Sequence, residues 1–286
     1  MDWLRSWLED SPYGAALGVR SEAISQERVS LLLPFETENS NGDGALHGGV
    51  AASMIDLAGQ AVARAALGEE SGPWHTAAIQ VAYLSAALGE TIRAEARLLR
   101  RGKELAYADV EVRTEQGKPV ARGLMSVRGR FADAESATPA AHGDDGEADR
   151  GPMGPFIHRV PFHGKLGLTA EQMAGGRSRI AMPWLETNAD ASGGVHEGAV
   201  LALLDTTGAM AAWAETGPGR FKASTPGIQA AILAAPPPGD LVGYGRVVHR
   251  DRELLFSEVE IAQRPSGRLV ARGTVNYRIV MPEHAR

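Results

Sequence analysis

Two stretches of the chain, 48–67 and 197–215, are rich in Ala, Leu and Met, lack Pro and open on Gly-containing turns. That pattern predicts a helix of some 20 residues in each. Elsewhere apolar and polar residues alternate, as in TIRAEARLL (91–99) and YADVEV (107–112), with glycine turns between. A period of two predicts strands. In the first half they fall near 18–22, 28–35, 75–84, 90–100, 105–115 and 119–130, and in the second a pair falls near 167–169 and 177–184. A short helix precedes each set. One long helix against an antiparallel sheet of about five strands is an α+β layer arrangement.

The pattern occurs twice, at an offset of 149 or 150 residues. PYGAALG (12–18) answers to PFHGKLG (161–167), LPFETEN (33–39) to MPWLETN (182–188), and GKPVARG (117–123) to GRLVARG (267–273). A period this long is a duplicated domain, since solenoid units run only ~20–50 residues. Between the copies, residues 132–154 hold six acids, several Gly, Ala and Pro, and hardly a large apolar side chain. Such a stretch cannot offset its ordering entropy by burial and reads as a mobile linker. The expected domains are 1–131 and 155–286.

Within each apolar helix stands an aspartate. Asp56 follows His47 by nine residues, and Asp205 follows His196 by the same interval. A carboxylate on a buried helix face is costly unless paired or used, and burial raises its pKa toward the range of a working base. The glycines at the helix start complement it, because the first turn leaves backbone N–H groups free with the positive end of the dipole behind them. Gly48 and Gly49 allow a substrate carbonyl to approach those donors as in an oxyanion hole. One helix cannot supply both parts. Nine residues span roughly 12–14 Å, whereas attack and oxyanion stabilisation must meet within about 3–3.5 Å of one carbon. Two helices running antiparallel bring each start opposite the other's Asp.

The pattern N-x-x-G-x-x-H-G-G (41–49) with Asp nine after the His resembles the hot-dog-fold acyl-CoA thioesterases, the phenylacetyl-CoA thioesterase-like branch in particular. The LPF segment, the strand TAAIQVAYLSAA and the closing GKPVARG carry the resemblance through both halves. It implies two tandem hot-dog domains, each a long helix wrapped by a curved antiparallel sheet, working as an intramolecular pair. It implies hydrolysis of an acyl-CoA thioester, with the Asp as nucleophile or general base and the amide after the His polarising the carbonyl. Carried over, the first site comprises Asn41, His47, Gly48 and Gly49 facing Asp205. The second comprises Asp190, His196, Glu197 and Gly198 facing Asp56. Here Asp190 stands where Asn is expected and Glu197 replaces the first Gly, two carboxylates that oppose a developing oxyanion. Phosphate contacts for coenzyme A are expected from Arg100, Arg101, Lys103, Arg250 and Arg252, which occupy the same turn of each repeat.

Bland readings stand beside these. His47 and His196 serve equally as helix caps, Asn41 as an Asx-turn residue, Thr76 as a strand former or as a hydroxyl near the site, and the basic turns as solvated hairpins. Trp74, Trp184 and Trp213 read as core or interface. With a formal charge of −6 and no basic stripe, no nucleic-acid partner is expected. The absence of Cys excludes thiolate chemistry. No signal-like N-terminus or run of ~18–20 apolar residues is evident, so the expectation is a cytoplasmic protein with no membrane partner. No metal or cofactor is implied beyond coenzyme A as part of the substrate, and the resemblance implies a homo-oligomer. A G-x-S-x-G elbow is missing, which disfavours a serine hydrolase, and the hydratase pattern Asp…Asn-Pro…His is not found. The competing class is a non-catalytic acyl-CoA-binding or scaffold protein with a decayed site.

Overall fold

The computed structural model describes residues 1–130, 138–144 and 147–280. Its first half runs α1 (Asp2–Glu9), α2 (Pro12–Leu17), β1 (Arg20–Ile24), β2 (Arg28–Leu33), α3 (Gly48–Leu67), β3 (His75–Tyr83), β4 (Ile92–Arg101), β5 (Leu105–Thr114) and β6 (Pro119–Arg128). The second half repeats the order. A 3-10 segment (Gly154–Arg159) precedes α4 (Pro161–Lys165), β7 (Thr169–Ala174), β8 (Arg177–Met182), α5 (Glu197–Thr216), β9 (Lys222–Ile232), β10 (Leu241–Asp251), β11 (Leu254–Gln263) and β12 (Leu269–Val280). Among the described residues each half has six strands, the number of alternating stretches in the first half and one more than the five-stranded layer. The strand expected at 167–169 starts at its last residue, because Gly167, at φ +70°, turns the chain out of α4 instead.

All twelve strands join one sheet in the order β1-β2-β4-β5-β6-β3-β9-β12-β11-β10-β8-β7. The halves meet where β3 pairs antiparallel with β9, Ile79 opposite Ala230 and Ala82 opposite Gly227. These are two hot-dog units sharing a continuous sheet, with a helix enclosed by each. Of the 20 residues of α3, 18 are buried. By length and hydropathy α3 is apolar enough to cross a bilayer, against the expectation above, yet 94% of that window is enclosed by the protein. A helix with no solvent face must satisfy any polar side chain from within the protein.

The helices pack antiparallel through small residues. A side chain at Gly49 would come within 2.9 Å of Ala202 Cβ, and one at Gly198 within 3.1 Å of Ser53 Cβ. Pairing 49 with 202 and 53 with 198 requires opposite directions. Ser53 stitches the crossing, its hydroxyl placed 2.8 Å from the Gly49 carbonyl and 3.0 Å from that of Gly198.

The mobile-linker expectation is corrected where the chain is described; residues 132–137 and 145–146 of that stretch lie outside the described residues. Ala140 bridges to Arg268, and the Ala141 amide donates to Gly267 O at 2.9 Å. His142 donates its amide to Glu260 at 2.7 Å, and Asp144 pairs with Arg179 at 3.4 Å. Farther on, the Met173 amide donates to Asp149 O at 2.7 Å. Composition misjudges this segment because backbone pairing needs no apolar side chain.

Candidate active site

His47 caps α3 with its side chain, Nδ1 accepting from the Gly49 amide at 2.9 Å. The His47 carbonyl takes the Val50 and Ala51 amides. Among the described residues nothing accepts from the Gly48 N–H. That donor sits in the first turn, where the helix dipole adds positive potential. Antiparallel packing then brings Asp205 of α5 to it. A Cβ at Gly48 would lie 3.0 Å from Asp205 Oδ2, so glycine is the residue that lets a third group enter between them.

Asp205 is 3% exposed, and its carboxylate accepts from the Thr225 hydroxyl of β9 at 3.1 Å. Burial pushes its pKa up to about 7, against the lowering influence of Thr225. The ring of Tyr83, at the end of β3, comes within 3.5 Å of the same Gly48 position; its hydroxyl is enclosed without a partner. These groups open on a cavity of about 880 Å³. Asn41, His47, Gly48, Asp205 and Thr225 line its polar part. Leu46, Leu84, Met153, Phe156, Met210 and Trp213 make much of the rest. Trp213 packs on the core as expected and is also a cavity wall, held by a 3.1 Å bond from Nε1 to Tyr277 Oη. Trp184 is corrected: it is 41% exposed. Trp74 stacks on Trp3 with ring centroids 5.4 Å apart.

The start of α5 has the same backbone and different contents. His196 caps it through the Gly198 amide at 2.9 Å. Glu197, expected to oppose an oxyanion with its carboxylate, turns that carboxylate inward instead. Its Oε2 accepts from the Thr76 amide at 2.9 Å and from Gln60 Nε2 at 2.7 Å, while Oε1 meets His75 Nδ1 at 2.7 Å. Thr76 donates its hydroxyl to Asp56 at 2.6 Å. Arg64 holds the Gln60 carbonyl oxygen and lies 3.7 Å over the Trp7 ring. Burial, then the neighbouring Glu197, raises the Asp56 pKa to about 7, so Asp56 is the member of the pair that keeps its proton. The side chains of Glu197, Gln60 and Arg64 fill the approach to Asp56. Asp190 makes no hydrogen bond to them, though its charge is felt by Arg64 and His196: its carboxylate takes the Ser192 amide and hydroxyl, each at 2.7 Å, and faces a groove walled by Trp3, Trp7 and Trp184.

Of the five expected phosphate contacts, Arg100, Arg101, Lys103, Arg250 and Arg252, none lines the cavity. The reason is sheet order. In the first half β6 stands between the β4–β5 hairpin and the β3–β9 seam, and in the second β12 stands between β11 and β9. Arg278 is the guanidinium at the cavity, anchored on Glu253 at 2.8 Å. Sequence reasoning missed Thr225, although it stands at the repeat position of Thr76. It also missed His163, Tyr83, Gln60, Arg64 and His75, whose repeat partners are different residue types.

Comparison with known proteins agrees with this architecture. The family described as "Thioesterase superfamily" matches residues 43–121. Over 100 residues the chain is 36% identical to acyl-coenzyme A thioesterase 13 of Homo sapiens, covering 34% of this chain and 69% of that protein. The Mus musculus protein of the same name is 32% identical over 105 residues, 35% of this chain and 72% of its own length. A solved structure from Alicyclobacillus acidocaldarius, described as a conserved protein of unknown function with a hot dog fold, superposes with a TM-score of 0.67 at 16% identity. That alignment covers 96% of this chain and 98% of the other, which supports the fold. The chain belongs to the thioesterase superfamily. It is a thioester hydrolase.

Proposed function

We propose that the protein hydrolyses an acyl-CoA thioester to a carboxylic acid and coenzyme A, at one site per chain formed by Asp205 and the start of α3. The observation that carries this reading is the approach of Asp205 Oδ2 to the Gly48 position across the two helices, opening on the large cavity. Asp205 draws a proton from water as the water oxygen attacks the thioester carbon. The Gly48 N–H donates to the oxyanion that forms, where a donor is worth far more than in water. The C–S bond then breaks and the thiolate takes the proton from Asp205, leaving the base ready for another cycle. A pKa near 7 suits a base that must be half ready at neutral pH. Thr225 orients the carboxylate, and the apolar walls at Met153, Phe156, Met210 and Trp213 receive the acyl group. The second site, filled by Glu197, Gln60 and Arg64, serves as structure.

The test is thiol release from short, aromatic and long acyl-CoAs. Asp205→Asn is expected to lower kcat about 10³-fold or more, a magnitude usual for removal of a base or nucleophile. Asp56→Asn is expected to stay within about twofold where it folds. Undiminished turnover in Asp205→Asn sinks the mechanism, and a loss of only about half in each variant would show two working sites.

A further inference from the structure

His163 of α4 lies in the second half, yet its ring sits behind the first-half turn. Its Nε2 is 3.0 Å from His47 Nε2, and its Nδ1 is 3.1 Å from the Ile157 carbonyl. With the 2.9 Å bond from the Gly49 amide to His47 Nδ1, this makes a chain of three hydrogen bonds. Its direction is fixed by its ends. A backbone amide can only donate, so His47 Nδ1 is an acceptor and its proton sits on Nε2. A carbonyl can only accept, so His163 Nδ1 carries a proton and His163 Nε2 is free to receive. The two deductions meet at the central bond without conflict: His47 Nε2–H donates to His163 Nε2. The Thr206 hydroxyl lies farther from the same nitrogen, at 3.4 Å. Both imidazoles are buried, which favours their neutral forms.

The second half lacks this arrangement. The repeat position of His163 is Gly14, and the ring of His196 stacks on Tyr13 at 4.9 Å, with no second histidine bonded to it among the described residues. The chain of bonds therefore accompanies the helix start that opens on the cavity and not the one that is filled.

We propose that His163 is a positioning residue for the hydrolysis: it selects the His47 tautomer that receives the Gly49 amide and so holds the Gly48 amide where the oxyanion forms. This rests on the reading of Gly48 and Asp205 given above. In the other tautomer His47 Nδ1–H would face the Gly49 N–H, donor against donor, and the first turn of α3 would have to shift. A displacement of that kind is felt in kcat, since donors stabilise charge only when aimed at its developed position.

The test combines kinetics with imidazole nitrogen NMR on the full chain. His163→Phe keeps an aromatic ring and removes the acceptor. It is expected to lower kcat about 10–100-fold, the range seen when a partner behind a functional group is lost, with KM changed less than about twofold. His163→Gln restores the direction of the chain, its amide oxygen accepting from His47 and its NH2 donating to Ile157. It is expected to recover kcat to within about threefold of the parent. In the unmodified protein the His47 ring should carry its proton on Nε2, a readout that requires no variant to fold. A His47 proton on Nδ1, or a folded His163→Phe with undiminished kcat, overturns the proposal. If Asp205→Asn retains turnover, the underlying reading fails and this one with it. If that variant is inactive while His163→Phe is unaffected, the positioning role alone is lost.

Discussion

The two helix starts share a backbone and differ in what fills the space in front of it. Both are capped by a histidine whose Nδ1 takes the amide two residues on, at 2.9 Å in each case. Both face an aspartate on the opposite helix supported by a threonine hydroxyl, Thr225 for Asp205 and Thr76 for Asp56. At 149 residues' offset, Gly48 answers to Glu197, Ala209 to Gln60 and Trp213 to Arg64. Gly48 and Ala209 leave a cavity that Trp213 walls; Glu197, Gln60 and Arg64 close the equivalent space with a network of buried hydrogen bonds. Duplication preserves the geometry of the crossing because small residues in the helix interface fix it from both sides. Volume at two positions and polarity at the third then separate an open site from a closed one.

The strongest way to break this contrast is to move the plug. Gly48 has a right-handed or extended backbone, with no positive φ, so Gly48→Glu introduces no backbone strain. It places a carboxylate on the oxyanion donor, beside Asp205 and without the Gln60 and His75 partners that satisfy Glu197. Thiol release is expected to fall about 10³-fold or more. An active Gly48→Glu protein would show that the cavity in front of α3 is not where the chemistry occurs. The pH dependence is the next largest effect. Asp205, raised to about 7 by burial, acts as a base only when unprotonated. Its kcat/KM is therefore expected to drop about tenfold per unit below pH 7 and to level off above it. A profile flat from pH 5 to 9 would remove Asp205 as the titrating group.

Much of this was legible in the chain itself, for reasons that can be named. The repeat offset and the apolar 20-residue runs mark the helices, and helix rise alone requires two of them to join Gly48 with an aspartate. What stayed hidden depends on partners far apart in sequence. Glu197 looked like a perturbing charge at a helix start; its inward turn is set by Gln60, His75 and the Thr76 amide, more than 120 residues away. His163 was invisible because the repeats disagree there, and a Gly14-to-His163 mismatch reads as noise until α4 is seen packed behind His47. The distance of the basic turns from the cavity was hidden as well, since local spacing does not reveal which strands stand between a hairpin and the seam.

Removing the plug should register in stability and not in turnover. Glu197→Ala strands the Thr76 amide and takes one partner each from His75 and the Gln60 amide, which still reaches Asp56, in a site that water reaches poorly. Leaving such groups unpaired costs roughly 1–3 kcal/mol apiece at most, so a loss of about 2–4 kcal/mol is expected in urea unfolding. Thiol release per folded molecule should remain within about twofold. A large loss of turnover in a folded variant would mean that the second helix start works after all.

The smallest effect tests the same contrast through pH. Asp205 has one hydrogen-bond donor and Asp56 has two, Gln60 and Thr76. The folded pKa of Asp205 lies above its unfolded value. Its contribution to stability is therefore fully present below the ordinary carboxylate range near pH 4 and is lost as pH rises through about 7. Asparagine cannot ionise and escapes this loss. Asp205→Asn should thus gain on the parent as pH rises from 5 to 9, by an amount on the order of 1–3 kcal/mol at the alkaline end. The gain appears as a Tm difference that widens up to about pH 7 and stays level above it. Asp56→Asn gives up hydrogen bonds that the carboxyl group receives from its two partners, so its curve should start lower and cross the parent later or not at all. If the two variants trace the same curve against pH, the surroundings of the two carboxyl groups are equivalent, and the division into an open site and a closed one loses its electrostatic basis.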